Sequence, residues 1–290
     1  MGASRPDRVL FVNFCDLRAF VVKDRLTAEP AAGRKVYEPI PFQSDRHRLS
    51  RVAVVRKVLV VCTLKGVEVE IDPIVAFFAN EAFETISPVR RIPVYRNERV
   101  TLCDSSVICQ YLEDRYPSPS VYPADIALRA EARWLEEYAD TRMSDVCLWR
   151  IFNAAVISPG IWNRPRDKEA IAKAVATELP VVLDYLESKL PAEDCFFGAL
   201  SIADIAIEGI FPNLGWARVE TDPARWPKVG AWLARLRSQE PFVSLERAGA
   251  ALMRIPTTEH RDALGDLGFK LTPETYATAT ARPGPMTVLA

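Results

Sequence analysis

The chain has 290 residues, 49% of them hydrophobic and 26% charged, with a formal net charge of -1. That length permits one large domain or two ordinary ones, and the charge balance lacks the basic excess of a nucleic-acid binder. No apolar run approaches the roughly 20 residues of a membrane span.

Residues 1–34 read as an extension with no place in the fold: VLFVNF (9–14) suits a strand, DLRAFVVKDRL (16–26) a short helix, and TAEPAAGRK a linker. KVYEPIPF (35–42) is a strand whose two prolines favour a sheet edge or strand end. SRVAVVRKVLVVCTLKG (50–66) predicts a helix with a wide apolar face of Val54, Val55, Val58, Leu59, Val61, Cys62 and Leu64, stopped by Gly66. VEVEI (67–71) alternates as a half-buried strand, and DPIVAFFANEAFETI (72–86) predicts a short helix entered through Asp72-Pro73. IPVYR and RVTLC then flank the turn at Asn97-Glu98 as a hairpin, and Ser105–Tyr116 is a helix closed by Pro117.

The order β-α-β-α-β-β-α over 35–117 implies a parallel pair joined by a helix, then an antiparallel hairpin, in a small mixed sheet. PSPSVYPAD (117–125) reads as an interdomain linker. Residues 126–247 carry helical patterns only, with Pro180 expected to kink or divide one of them. The tail, 248–290, is rich in Pro, Gly and Thr and predicts an extended or partly disordered segment.

Two places carry chemistry. Pro93 stands at the start of a strand; were its peptide bond cis, the Ile92 N–H and C=O would face outward and could pair with a bound peptide, whereas a trans bond makes it ordinary strand punctuation. Asp104-Ser105 begins a helix, where free N–H groups and the dipole favour an anion. The Ser105 hydroxyl and N–H suit a carboxylate and Asp104 suits an ammonium; simple N-capping explains the same residues. The six cysteines include no CxxC pair, and with two histidines no metal-ligand spacing stands out. They read as buried thiols of a reducing compartment, with the cytoplasm as expected location.

The run SPVRRIPVYRNERVTLCDSSVICQYLEDRYP (87–117) resembles the glutathione-binding half of cytosolic glutathione transferases. RKVLVVCTLKGVEVE (56–70) is similar to that family's first helix and second strand, CFFGALSIADIAI (195–207) to its second-domain motif, and WPKVGAWLARLRSQEPF (226–242) to its last core helix. The resemblance implies a thioredoxin-like domain followed by an all-helical domain, a homodimer, and glutathione as co-substrate for attack on a small hydrophobic electrophile. It implies a cis Pro93 with the Ile92 backbone on the cysteinyl part, and Asp104 and Ser105 on the γ-glutamyl end. Ser201 and Asp204 become a structural capping box.

The sequence departs from the family in two places. Ser87-Pro88 and Arg90 replace its Asn-Pro and small residue, adding positive charge near a glycyl carboxylate. The position of its catalytic hydroxyl or thiol aligns near Val52, so Ser50, at a helix N-terminus two residues earlier, is the catalytic candidate, with Ser44 further back and His47 or Arg51 as electrostatic helpers. Trp134, Tyr138 and Arg142, with Trp149, recur at helical spacing as either core or an electrophile pocket. The alternative to an enzyme is a non-catalytic binding or interaction module on the same scaffold.

Overall fold

The structure, a computed structural model, describes residues 18–24 and 53–54 by their backbone and residues 55–252 and 255–282 in full. The expected first helix is α1 (Ala53–Leu64). Val55, Val58, Val61 and Cys62 bury its apolar face, and Gly66, at φ +65, ends it. That left-handed residue lets the Val67 N–H reach back to the Cys62 carbonyl at 2.9 Å.

The sheet differs from expectation in its central strand. β1 (Arg18–Asp24) comes from the segment read as a short helix. The β-branched and aromatic run Phe20-Val21-Val22 favours a pleated surface, and that preference prevails over helical spacing. The strand order is β2-β1-β3-β4. β1 pairs antiparallel with β2 (Val69–Val75), from Arg18 opposite Val75 to Asp24 opposite Val69, and parallel with β3 (Val94–Arg96). The described sheet neighbour of β2 is thus antiparallel, whereas the parallel partner expected for it was the segment 35–42. The strands proposed at 9–14 and 35–42 lie outside the described residues.

β2 also runs further than VEVEI, because Asp72-Pro73-Ile74-Val75 continues the strand with Pro73 opposite Phe20. The helix expected over 72–86 is instead two 3₁₀ turns, Ala76–Phe78 and Glu81–Thr85. Asn80 separates them, its side chain accepting the Phe83 N–H at 3.2 Å, so the apolar residues never share one continuous stripe. The hairpin of β3 and β4 (Thr101–Leu102) pairs Tyr95 with Leu102. It turns on Asn97, whose Oδ1 accepts the N–H groups of Arg99 and Val100. α2 (Ser105–Arg115) follows directly.

From Ile126 onward the described residues form helices and their connections, up to the final strip. α3 (Ile126–Tyr138) is capped by Asp125 and continues through wider π-type winding into α4 (Ser158–Ile161). α5 (Lys168–Lys173) runs through a similar wide turn into α6 (Leu179–Lys189). Pro180 sits in the first turn of α6, where its missing N–H is tolerated. α7 (Ile202–Trp216) is buried at every position from Ile202 to Leu214. α8 (Pro227–Arg237) packs beside it, with Trp232 edge-on to Phe211 at 6.2 Å. None of the described helices is long and apolar enough to cross a membrane.

The tail is more structured than its composition suggested. α9 (Phe242–Leu252) and α10 (His260–Asp266) precede an extended strip that runs back along β2. Ile71 donates to the Lys270 carbonyl at 2.8 Å, and Thr272 to the Ile71 carbonyl at 3.1 Å. The buried Asp72 carboxylate anchors the strip, accepting from Arg261 at 3.1 Å, from the Thr275 hydroxyl at 2.7 Å and from the Tyr276 N–H at 2.7 Å. Burial pushes this carboxyl above its ordinary range, while the Tyr276, Thr275 and Arg261 donors pull it down.

Candidate functional site

The Ile92–Pro93 peptide bond is cis. The loop before it is closed by buried Ser87, whose hydroxyl donates to the Arg91 carbonyl at 2.8 Å and accepts the Arg91 N–H at 2.9 Å. Ile92 is half-buried and precedes the β3 ladder; no hydrogen bond from the described residues engages its backbone. Its side chain packs on the same small core as Cys103, the residue before Asp104. The strand edge and the start of α2 are therefore neighbours.

At that helix start Asp104 is exposed and its Oδ1 accepts the N–H groups of Ser106 at 3.0 Å and Val107 at 3.1 Å. Capping is thus one real role of Asp104, and it leaves Oδ2 uncommitted among the described residues. Ser105 is 5% exposed. Neither its N–H nor its hydroxyl has a partner among the described residues, so the helix presents both at its positive end.

One residue further on, the site rests on a buried ionic cluster that the sequence did not suggest. The Lys57 ammonium, 0% exposed, donates to Ser106 Oγ at 3.0 Å, Glu136 Oε1 at 3.0 Å and Asp140 Oδ2 at 2.5 Å. Ser106 in turn donates to Asp140 at 3.0 Å, and Tyr122 donates to Glu136 at 3.4 Å. Burial alone would lower the Lys57 pKa, but Asp140 and Glu136 outweigh it and hold the ammonium well above its ordinary value. The signal in the sequence was the Arg56-Lys57 pair set inside an otherwise apolar helix, where such residues need partners.

Among the described residues Cys62, Cys109 and Cys147 are buried free thiols, and Cys103 and Cys195 are half-buried. Burial pushes Cys109 well above its ordinary value and Cys147 up to about 12. Cys103, half-buried, is also raised by burial, against the pull of Ser87, and its thiol donates to the Ile86 carbonyl at 3.2 Å. Among the described residues no cluster of His, Cys, Asp and Glu is arranged to hold a metal.

The other candidates for this site fall into two sets. Ser50, with Ser44, His47, Arg51 and Val52, lies outside the described residues. The aromatic stripe turns away from it: Trp134 donates to the Tyr185 hydroxyl of α6 at 2.9 Å, and the Tyr138 ring stacks on Tyr185 at 4.6 Å. Glu136 and Asp140 face α1 and α2, so Trp134 and Tyr138, two residues out of phase, occupy the other side of the same helix. Arg142 pairs with Asp145 of its own helix at 3.3 Å. These residues thus make a packing contact between α3 and α6, with Trp134 still 56% exposed.

Comparison with known proteins places this geometry in context. Residues 51–120 match the family model described as glutathione S-transferase, N-terminal domain. Glutathione S-transferase theta-1 of Homo sapiens is 27% identical over 172 residues, covering 58% of this chain and 70% of the human protein. Maleylacetoacetate isomerase of Mus musculus is 30% identical over 86 residues, covering 28% of this chain and 40% of the isomerase. The crystal structure of a glutathione S-transferase from Rhodospirillum rubrum F11 superposes with a TM-score of 0.62 at 23% identity, covering 73% of this chain and 95% of that one. At that identity the superposition speaks to the two-domain fold, a thioredoxin-like half followed by an all-helical half.

Proposed function

This chain belongs to the glutathione S-transferase superfamily, and on that premise we propose that it binds glutathione at the Ile92–Pro93 edge and transfers its sulfur to a small hydrophobic electrophile. The observation that carries this reading is the pairing of a cis Ile92–Pro93 bond with an adjacent helix start whose Ser105 N–H and hydroxyl are uncommitted. The Ile92 N–H and C=O would pair with the cysteinyl residue as an added strand does. Ser105 would take the γ-glutamyl carboxylate, and Asp104 Oδ2 its ammonium. Ser50 is the proposed donor to the sulfur, stabilising the thiolate that attacks carbon. The sulfur–carbon bond forms as the leaving group departs with its electron pair, or, on a conjugated acceptor, as the acceptor's own π pair shifts away from the attacked carbon and then takes a proton. We place the protein in the cytoplasm as a homodimer.

Titration calorimetry with glutathione tests the binding. Ser105→Ala is expected to weaken it about tenfold or more, the cost of one charge-assisted hydrogen bond. Asp104→Asn keeps the cap and loses the charge, with a similar effect. A wild-type protein that shows no heat of binding at millimolar glutathione would overturn the reading. Val52 at the position aligned with the family's catalytic hydroxyl favours a second reading, a glutathione-binding module without turnover. Saturable binding with no product from a panel of electrophiles would select it, whereas turnover lost in Ser50→Ala supports the enzyme.

A further inference from the structure

We propose that the C-terminal strip, residues 268–282, is a positioning element of the glutathione site, acting through the loop that presents Ile92; its role in affinity rests on the glutathione reading above. The loop between β2 and β3 has two 3₁₀ turns and no ladder of its own, so what packs on it sets its shape. The strip supplies that support at the level of the backbone. Asn80 donates to the Tyr276 carbonyl at 2.8 Å, Thr278 to the Phe78 carbonyl at 2.7 Å, and the Arg282 N–H to the Phe77 carbonyl at 2.6 Å.

Two side chains carry the contact onward. The Tyr276 ring meets Phe83 edge-on at 6.0 Å. Tyr276 packs against the core of Ile74, Ala79, Phe83, Ile86 and Val94, and Ile92 and Cys103 pack against that same core. A shift of Tyr276 is therefore felt on one packed surface by both halves of the site, the Ile92 edge and the residue before Asp104. Arg282 makes a second link: it pairs with Glu84 Oε1 at 3.1 Å, and the same oxygen lies 3.6 Å from Arg90 Nε. Arg90, at φ 50, is held in the left-handed region two residues before Ile92. The strip thus favours the one loop conformation that turns the Ile92 N–H and C=O outward.

The test uses full-length Tyr276→Ala, Tyr276→Phe, Arg282→Gln and Arg282→Lys proteins. Glutathione titration, the split of KM against kcat, and hydrogen exchange of amides 80–92 are read on each. Tyr276→Ala is expected to weaken glutathione about 3- to 30-fold, raising KM while kcat holds, and to speed exchange across 80–92 but not in α7. Tyr276→Phe, which keeps the ring, and Arg282→Lys, which keeps the charge, should recover the wild-type values. Faster exchange with unchanged glutathione affinity would reduce the strip to an edge cover and overturn the positioning role; unchanged exchange would overturn the coupling itself. If α7 exchange also accelerates in Tyr276→Ala, the exposed pair variant Arg282→Gln decides by the same criteria. A wild-type protein that does not bind glutathione removes the substrate reading alone, and the exchange comparison still decides whether the strip orders the loop.

Discussion

Lys57→Met should lower the unfolding free energy by about 3–5 kcal/mol, the cost of removing one partner from a buried ion pair. Methionine matches the lysine stem in length and fills the same channel in α1, so packing is nearly conserved. The loss comes from Glu136 Oε1 and Asp140 Oδ2, each left without the ammonium that faces it at 3.0 and 2.5 Å. Urea unfolding monitored by tryptophan fluorescence measures it. Adding Glu136→Gln to Lys57→Met should recover part of the stability, because one uncompensated charge disappears with the other. The pH dependence has a definite sign. Lys57 has a folded pKa raised above its unfolded value by Asp140 and Glu136, against burial. Its stabilising contribution is therefore fully present below the unfolded lysine value of about 10.4 and is lost as pH rises through the folded one. Wild-type stability should fall over that alkaline range with a slope that Lys57→Met lacks. A Lys57→Met protein within about 1 kcal/mol of wild type, with the same alkaline slope, would show that the cluster is not a stabilising tie. The substitution also removes the donor that fixes Ser106, so glutathione affinity at neighbouring Ser105 should decline in the same variant.

The sequence spoke clearly where a residue's role is set by its neighbours along the chain. The Asn97 turn, the Asp104 cap and the Gly66 stop depend on contacts within a few residues, and each stands where its residue type predicts. Ile92–Pro93 was legible only as a choice between isomers, because a strand-leading proline fits either. What could not be read depends on pairing across the chain. The direction of β1 is set by its ladder with β2, about 50 residues away, and the run AFVV fits either direction equally. Composition suggested a loose tail because prolines and threonines lack a core of their own; Asp72 supplies the anchor from just over 200 residues upstream. The aromatic stripe on α3 was legible only in part. Periodicity shows that Trp134 and Tyr138 share a face, but not which face meets the thioredoxin-like half. The acids two residues out of phase, Glu136 and Asp140, decide that.

Asp204→Ala is expected to cost at least about 4 kcal/mol, at the upper end for a single substitution. Its carboxylate is 0% exposed; among the described residues no cation pairs with it, and four donors do. Oδ2 accepts the Ser201 N–H at 3.0 Å and the Ser201 hydroxyl at 2.7 Å, while Oδ1 accepts Trp232 Nε1–H at 2.9 Å and the Phe196 N–H at 3.1 Å. Burial pushes the carboxyl above its ordinary range even so, with Ser201, Trp232 and Phe196 pulling it back. Alanine leaves the Ser201 and Trp232 N–H donors buried and unanswered, each costing about 1–3 kcal/mol, and the Phe196 N–H partly so, while the hydroxyl is free to turn elsewhere. Asn separates the two halves of this role. It keeps one oxygen for Trp232 and Phe196 but sets an NH₂ against the Ser201 N–H, so roughly half the loss should remain. Ser201→Ala, which removes only the hydroxyl, should cost about 1 kcal/mol. The order Ala, then Asn, then Ser201→Ala in midpoint of thermal unfolding is the expected result, and an Asp204→Ala protein no less stable than Ser201→Ala would refute it. The effect extends beyond the cap because α7 crosses the middle of the molecule. One turn on from Asp204, the same helix presents Glu208, which pairs with Arg56 of α1 at 3.0 Å and Arg237 of α8 at 3.2 Å. Fraying the first turn of α7 therefore loosens the tie between the two halves of the chain, and the Lys57 cluster on the adjacent face of α1 should lose its exclusion from water with it.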